Sequence, residues 1–116
     1  MEVAVLTTVS VSTHVLDLTL GRPAAGLTTR FERRLNAGWK WVAGDQTDAD
    51  GNIAGWRAPV VPGAYRIIFD TESYFHATGR ECLYPEVVVH LRFNGERSYH
   101  VPLLLGPFAY STYLGS

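Results

Sequence analysis

The side chains in this 116-residue sequence best suited to moving protons near neutral pH are its four histidines, since an unperturbed imidazole titrates at about 6.5. Two of them stand in segments of alternating polarity. His14 shares a parity with Thr8, Ser10 and Ser12, while Val5, Val9, Val11 and Val15 take the other. His100 keeps step with Ser98 and Pro102, while Tyr99, Val101, Leu103 and Leu105 form the apolar set. Successive strand residues point to opposite faces of a sheet, so both imidazoles are expected on non-core faces. Two such rings over one small molecule can activate water and protonate a leaving group, and either ring fits either role. His76 and His90 belong to no motif and read as solvent-facing or structural.

The remaining chemistry-bearing residues read more plainly. Cys82 is the only cysteine, which excludes an intrachain disulfide, permits a reducing, cytoplasmic setting and reads as a small half-buried side chain. Two histidines without a third ligand make a poor zinc site, so no metal or other cofactor is expected. Asp48 and Asp50 look like the start of a calcium loop, but the later ligands and the closing glutamate are missing; they read as turn residues. Trp39, Trp41 and Trp56 read as core or interface filler.

The elements that must position the two histidines are short strands. Turn signals recur at Gly21-Arg22-Pro23, Asn36-Ala37-Gly38, Asp48 to Gly51, Pro59 to Gly63, Phe93-Asn94-Gly95 and Gly106-Pro107. Between them lie runs rich in Val, Thr, Ile, Tyr and Phe. The expected strands are 3–18, 26–35, 39–44, 52–57, 64–70, 86–93, 97–105 and 108–113, about eight in an all-β sandwich or barrel. One short helix is expected over 71–79, with Thr71 as its cap and Gly79 ending it. The outer face around the histidines also carries Leu16 and Leu104, and a half-apolar face of this kind calls for a partner. In a symmetric homo-oligomer, copies of that face would meet and turn a flat surface into a walled cleft.

Composition narrows the class of partner. With 47% hydrophobic and 18% charged residues the chain can bury one core, and its length suits one domain, residues 1–116. Ten Lys and Arg against eleven Asp and Glu leave a net charge of -1, and no run of basic residues stands ready for phosphates, so no nucleic acid is expected. The longest apolar runs, such as 101–105, fall far short of the roughly 20 residues of a membrane span, so no membrane partner is expected. The N-terminal residues lack a basic region before their apolar stretch and do not read as a signal peptide.

Several motifs together resemble the 5-hydroxyisourate hydrolase family, the transthyretin-like proteins of urate breakdown. They are Ser12-Thr13-His14-Val15-Leu16-Asp17, Gly21-Arg22-Pro23-Ala24-Ala25, Thr47-Asp48-Ala49-Asp50-Gly51, Gly63-Ala64-Tyr65-Arg66, Tyr84-Pro85-Glu86-Val87, Tyr99 to Leu105 and the terminal Tyr110 to Ser116. The order is the family's and nearly the whole chain is covered. The resemblance implies a transthyretin-like β-sandwich of two four-stranded sheets with one short helix. It also implies a homotetramer whose subunit interfaces form a central channel with the active sites. The implied activity is hydrolysis of a cyclic amide or ureide, a small heterocyclic substrate, with His14 and His100 as the catalytic proton-transfer pair. Thr112, Tyr113, Leu114 and Ser116 would line the channel.

The sequence departs from the family pattern at the expected arginines. The position directly after the Asp-Gly turn is Asn52, which the resemblance makes a substrate-orienting amide, and the terminal Tyr-Arg-Gly-Ser of the family is here Tyr113-Leu114-Gly115-Ser116. The histidine often found two residues before His100 is Ser98. Arg57 would replace a lost cation only if a bulge at Gly55 reversed its strand parity. The departures keep two alternatives in view: a divergent paralogue that acts on another heterocycle by hydrolysis, addition or cyclisation, and a transthyretin-like ligand-binding protein.

Overall fold

A computed structural model of the chain describes residues 8–59, 63–94 and 98–115. Among them nine strands and one helix follow in the order β1 (Thr8–Asp17), β2 (Arg22–Pro23), β3 (Thr28–Leu35), β4 (Gly38–Gln46), β5 (Asn52–Pro59), β6 (Gly63–Phe69), α1 (Thr71–Ala77), β7 (Val87–Phe93), β8 (Tyr99–Leu105) and β9 (Tyr110–Thr112). One sheet has the order β4-β3-β6-β7; the other is β2-β1-β8-β9, with β5 also paired to β1. The second has five strands where four were expected because β5 and the two-residue β2 pair with different stretches of β1, Thr8 to His14 and Leu16 to Asp17. Residues 3–7 and 97 of the expected strands lie outside the described residues.

The parity expected of β1 and β8 holds. Val11, Val15, Val101, Leu103 and Leu105 are buried, and Thr13, buried with them, donates its hydroxyl to the Val101 carbonyl at 2.6 Å. Against them stands an aromatic column in which Phe31 stacks on Trp56 and Tyr65, Tyr65 on Phe93, and Phe93 on Tyr99, with centroids 4.3 to 5.6 Å apart. Each large ring removes its area from water and adds an offset-stacking gain of about 1 kcal/mol per pair. The tryptophans divide: Trp56 is core, Trp39 packs against the Arg66 guanidinium at 4.3 Å, and Trp41 is 60% exposed.

The cap of α1 is one residue earlier than expected. Asp70 accepts from the Ser73 N–H, whereas the Thr71 side chain is turned inward and donates to the Tyr84 carbonyl. Both residues are good N-caps; burial of the threonine settles which one serves. Gly79, at φ +70°, follows the helix in the left-handed conformation expected of it.

Two irregularities decide what surrounds His14. Gly51 closes the Asp48 turn at φ +77°, and a Cβ there would come within 2.6 Å of the Val15 carbonyl, so only glycine lets the turn dock on β1. The Asp48 carboxylate accepts from the N–H groups of Asp50 and Asn52, which fixes the first residue of β5. Further along β5, Val11 pairs with Trp56 and Thr13 with Ile53, so two residues of β5, Ala54 and Gly55, face the single Ser12 of β1. This is a β-bulge, with Gly55 at φ +72° inside it. Regular alternation would set Arg57 out of step with Asn52; the bulge instead sets it at the register position of Ser10.

Candidate active site

The site is built on three adjacent strands of the five-stranded sheet. In β1, Ser12 and His14 alternate with the buried Val11, Thr13 and Val15 and are half-buried on the outer face. The antiparallel register of β1 with β5 sets His14 opposite Asn52. The parallel register of β1 with β8 sets Ser12 opposite His100 and His14 opposite Pro102. A strand spacing of about 4.8 Å and a rise of about 3.3 Å per residue put the two histidine Cα atoms about 8 Å apart, one diagonal step across the same face.

The His100 ring is the more closely held. Its Nδ1 lies 2.9 Å from Ser12 Oγ, in hydrogen-bond contact. On its other side runs the C-terminal segment, where Gly115 donates its N–H to the His100 carbonyl at 2.7 Å. An added Cβ at Gly115 would stand 2.6 Å from His100 Cδ2, so the imidazole occupies the space a side chain would need. The pairing of β9 with β8 stops at Thr112 and resumes at Gly115. Pro102 lies in that gap with no N–H to donate, and its carbonyl is satisfied by Thr112 Oγ1 at 2.7 Å. Proline and the missing glycine side chain together explain why the segment leaves the ladder and returns to it at His100.

Thr112, Tyr113 and Leu114 are exposed, the last two at 56% and 57%. They line a groove of about 280 Å³ between the β7 and β9 edges, with Val89, Phe93 and Tyr99 behind it. Neither this groove nor a second one beside α1 is lined by His14, Asn52 or His100. The structure thus brings His14, Asn52 and His100 to one face and leaves the three C-terminal side chains at its rim; Ser116 lies outside the described residues. His76 and His90 are exposed, His76 in the last turn of α1 and His90 on the other sheet, where it stands against Trp39 and lines the groove with Thr112, Tyr113 and Leu114.

With the fold and this face in view, the comparisons with known proteins are decisive. The profile of the HIUase/Transthyretin family matches residues 11–115. The chain belongs to that family. Within the family it is 42% identical to a probable 5-hydroxyisourate hydrolase of Caenorhabditis elegans over 94% of this chain and 82% of that one. The solved structure of 5-hydroxyisourate hydrolase from Klebsiella pneumoniae superposes with a TM-score of 0.83 at 33% identity, covering 92% of this chain and 98% of that one. Sea bream transthyretin, solved in complex with thyroxine, superposes with a TM-score of 0.81 at 28% identity over 90% and 93% of the two chains. This HIUase/Transthyretin fold therefore serves hydrolysis in one neighbour and ligand binding in another, and the side chains of the site must decide between them.

Those side chains are hydroxyl, imidazole and amide. Among the described residues no three His, Cys, Asp or Glu side chains converge on a common point as metal ligands would. Cys82 lies in the groove beside α1, and burial, with Glu72 nearby, pushes its thiol above the ordinary value, which favours the protonated form. Two contacts of the His100 ring were missed in the sequence. Ser12 carries the right parity but its partner is 88 residues away, and Gly115 reads only as part of a terminal motif. Neither has a local signal.

Proposed function

We propose that this chain is a 5-hydroxyisourate hydrolase of urate degradation, working on the outer face of β1, β5 and β8. The observation that carries the reading is the parallel register that sets His14 and His100 on one face, one diagonal step apart. A carrier has no use for two proton-transfer groups in that relation. One imidazole takes a proton from water as its oxygen bonds to a ring carbonyl carbon. The tetrahedral oxyanion, held by a hydrogen bond from the other imidazole, then collapses, the carbon–nitrogen bond breaks, and the first imidazole returns its proton to the departing nitrogen. Atoms and protons balance, and the ring opens. Asn52, opposite His14, offers its amide N–H to the substrate carbonyl, a neutral substitute for a charged fork of donors.

The face is open on the single chain, so a second copy must wall it. We infer a homotetramer in which the faces of two protomers meet, with Thr112, Tyr113, Leu114 and Ser116 at the rim, in the cytoplasm, where the single thiol stays reduced. No helix among the described residues is long and apolar enough to cross a membrane.

The direct test is the ultraviolet decay of freshly generated 5-hydroxyisourate. The protein accelerates it well above buffer; decay at the buffer rate would reject the reading. Asn52 and Leu114 favour a second version, a pocket rebuilt for a less charged heterocycle. Asn52→Arg separates the two. If the pocket is otherwise that of the hydrolases, the variant raises kcat/KM on 5-hydroxyisourate by about tenfold or more, since an oxyanion donor is worth about 10²–10³. No gain, with the fold intact, would show that the pocket differs beyond that one position. The bulge makes Arg57 the other cation to test. Arg57→Gln raises KM several-fold if it has taken over the lost charge, whereas unchanged kinetics exclude it.

A further inference from the structure

We propose that Ser12 is a positioning residue that donates its hydroxyl proton to His100 Nδ1, so that the neutral ring carries its own proton on Nε2. His100 then offers its Nε2–H to the substrate as a hydrogen-bond donor, and His14 is the base that takes the proton of water and returns it to the departing nitrogen. The inference rests on the reading that His100 serves the substrate, but its structural half stands apart from that reading. Among the described residues the half-buried Ser12 hydroxyl has one hydrogen-bond partner, Nδ1 at 2.9 Å. If Nδ1–H donated to Oγ, the hydroxyl proton would be left without a protein acceptor. If Oγ–H donates to Nδ1, both groups are satisfied at once.

Ring orientation follows from the other side. Cδ2 lies over the bare Cα of Gly115, with no room for a methyl group between them. The imidazole is thus wedged between β1 and the C-terminal segment, and a ring flip would exchange the hydroxyl contact at Nδ1 for an apolar edge. Ser12 decides against that flip, and Nε2 is the nitrogen left to meet a ligand. Serine suits this because its hydroxyl rotates freely and can aim its proton at Nδ1. The position arises from the parallel β1–β8 register, which puts the smallest hydroxyl side chain directly opposite the histidine.

The experiment is nitrogen-15 NMR of the intact protein labelled at histidine, at alkaline pH where imidazoles are neutral, with His100 assigned by its loss in His100→Gln. In the wild type Nδ1 gives a pyridine-type shift and Nε2 a pyrrole-type shift. Ser12→Ala mixes or reverses the two, and Ser12→Thr keeps them. In parallel, Ser12→Ala lowers kcat on 5-hydroxyisourate by about tenfold, the worth of one neutral hydrogen bond, with KM within about twofold. Ser12→Thr restores kcat to within about threefold of wild type. A pyrrole-type Nδ1 in the wild type, or a tautomer unmoved by Ser12→Ala, overturns the positioning role. A moved tautomer with unchanged kcat overturns instead the part played by His100 in turnover.

Discussion

His100→Ala and His14→Ala should each lower kcat on 5-hydroxyisourate by about 10²–10⁴, the ordinary worth of a positioned acid or base, and leave the melting temperature within a few degrees of wild type. The separation of the two effects follows from the geometry. Both rings stand half-buried on the outer face, and the core behind them is made by Val11, Val15, Val101 and Leu103, so removing an imidazole opens no cavity in the core. The double variant should be little worse than the worse single one, because the two rings serve one transition state. Rapid-mixing absorbance kinetics on the four proteins check this. Multiplying losses in the double variant would mean that the two rings act independently and share no substrate.

Asp17→Asn should cost about 3 kcal/mol of stability and lower the melting temperature by about 10 °C. Asp17 ends β1 and is fully buried, yet it is ionised. Arg80 Nη2 donates to it at 2.6 Å, the Tyr74 hydroxyl at 2.7 Å, and the N–H groups of Thr19 and Leu20 at 3.0 and 3.1 Å. Burial alone would push the carboxyl up. The Arg80 and Tyr74 hydrogen bonds, with Leu20 and the Arg80 charge, outweigh it and hold the group below its ordinary 3.8. Asparagine removes the charge that Arg80 was folded around and cannot accept at every point. The ion pair ties the segment after α1 to the end of the strand that carries His14, so its loss loosens both.

The pH dependence has a definite sign. A carboxyl lower in the folded than in the unfolded chain contributes stability that is fully present above its ordinary value and is lost as pH falls through the folded one. Wild type therefore loses stability on acidification below about pH 4, and Asp17→Asn shows a flatter acid limb. Tyr74 behaves oppositely: burial and its bond to Asp17 raise it above its ordinary 10.0, so its contribution holds below that value and is lost at higher pH. Chemical denaturation at several pH values checks both limbs. An acid limb as steep in Asp17→Asn as in wild type would show that other carboxylates govern it.

What was legible in the sequence was what local alternation encodes. The parities of β1 and β8 put His14 and His100 outside and Val11, Val15, Tyr99, Val101, Leu103 and Leu105 inside, because in a half-buried strand each residue's face follows from its neighbours. Pairing is not local. That β1 runs parallel to β8, 88 residues apart between Ser12 and His100, is fixed by the whole sandwich, and with it the contact that holds the ring. The bulge at Gly55 changed the expectation for Arg57 because one extra residue reverses every parity beyond it. The Asp17–Arg80 pair joins residues 63 apart and left no trace in either segment. Helix capping was ambiguous between Asp70 and Thr71 for a different reason, since either side chain could serve and burial chose.

The most direct test of the central claim is a crystal structure of the assembled protein with a stable cyclic ureide bound. The account predicts the ligand on the outer face of β1, β5 and β8, with His14 and His100 both within about 3 Å of it and a second protomer closing the face above. A ligand seated in the groove behind Tyr113 and Leu114, or touched by only one of the two imidazoles in every subunit, would contradict it.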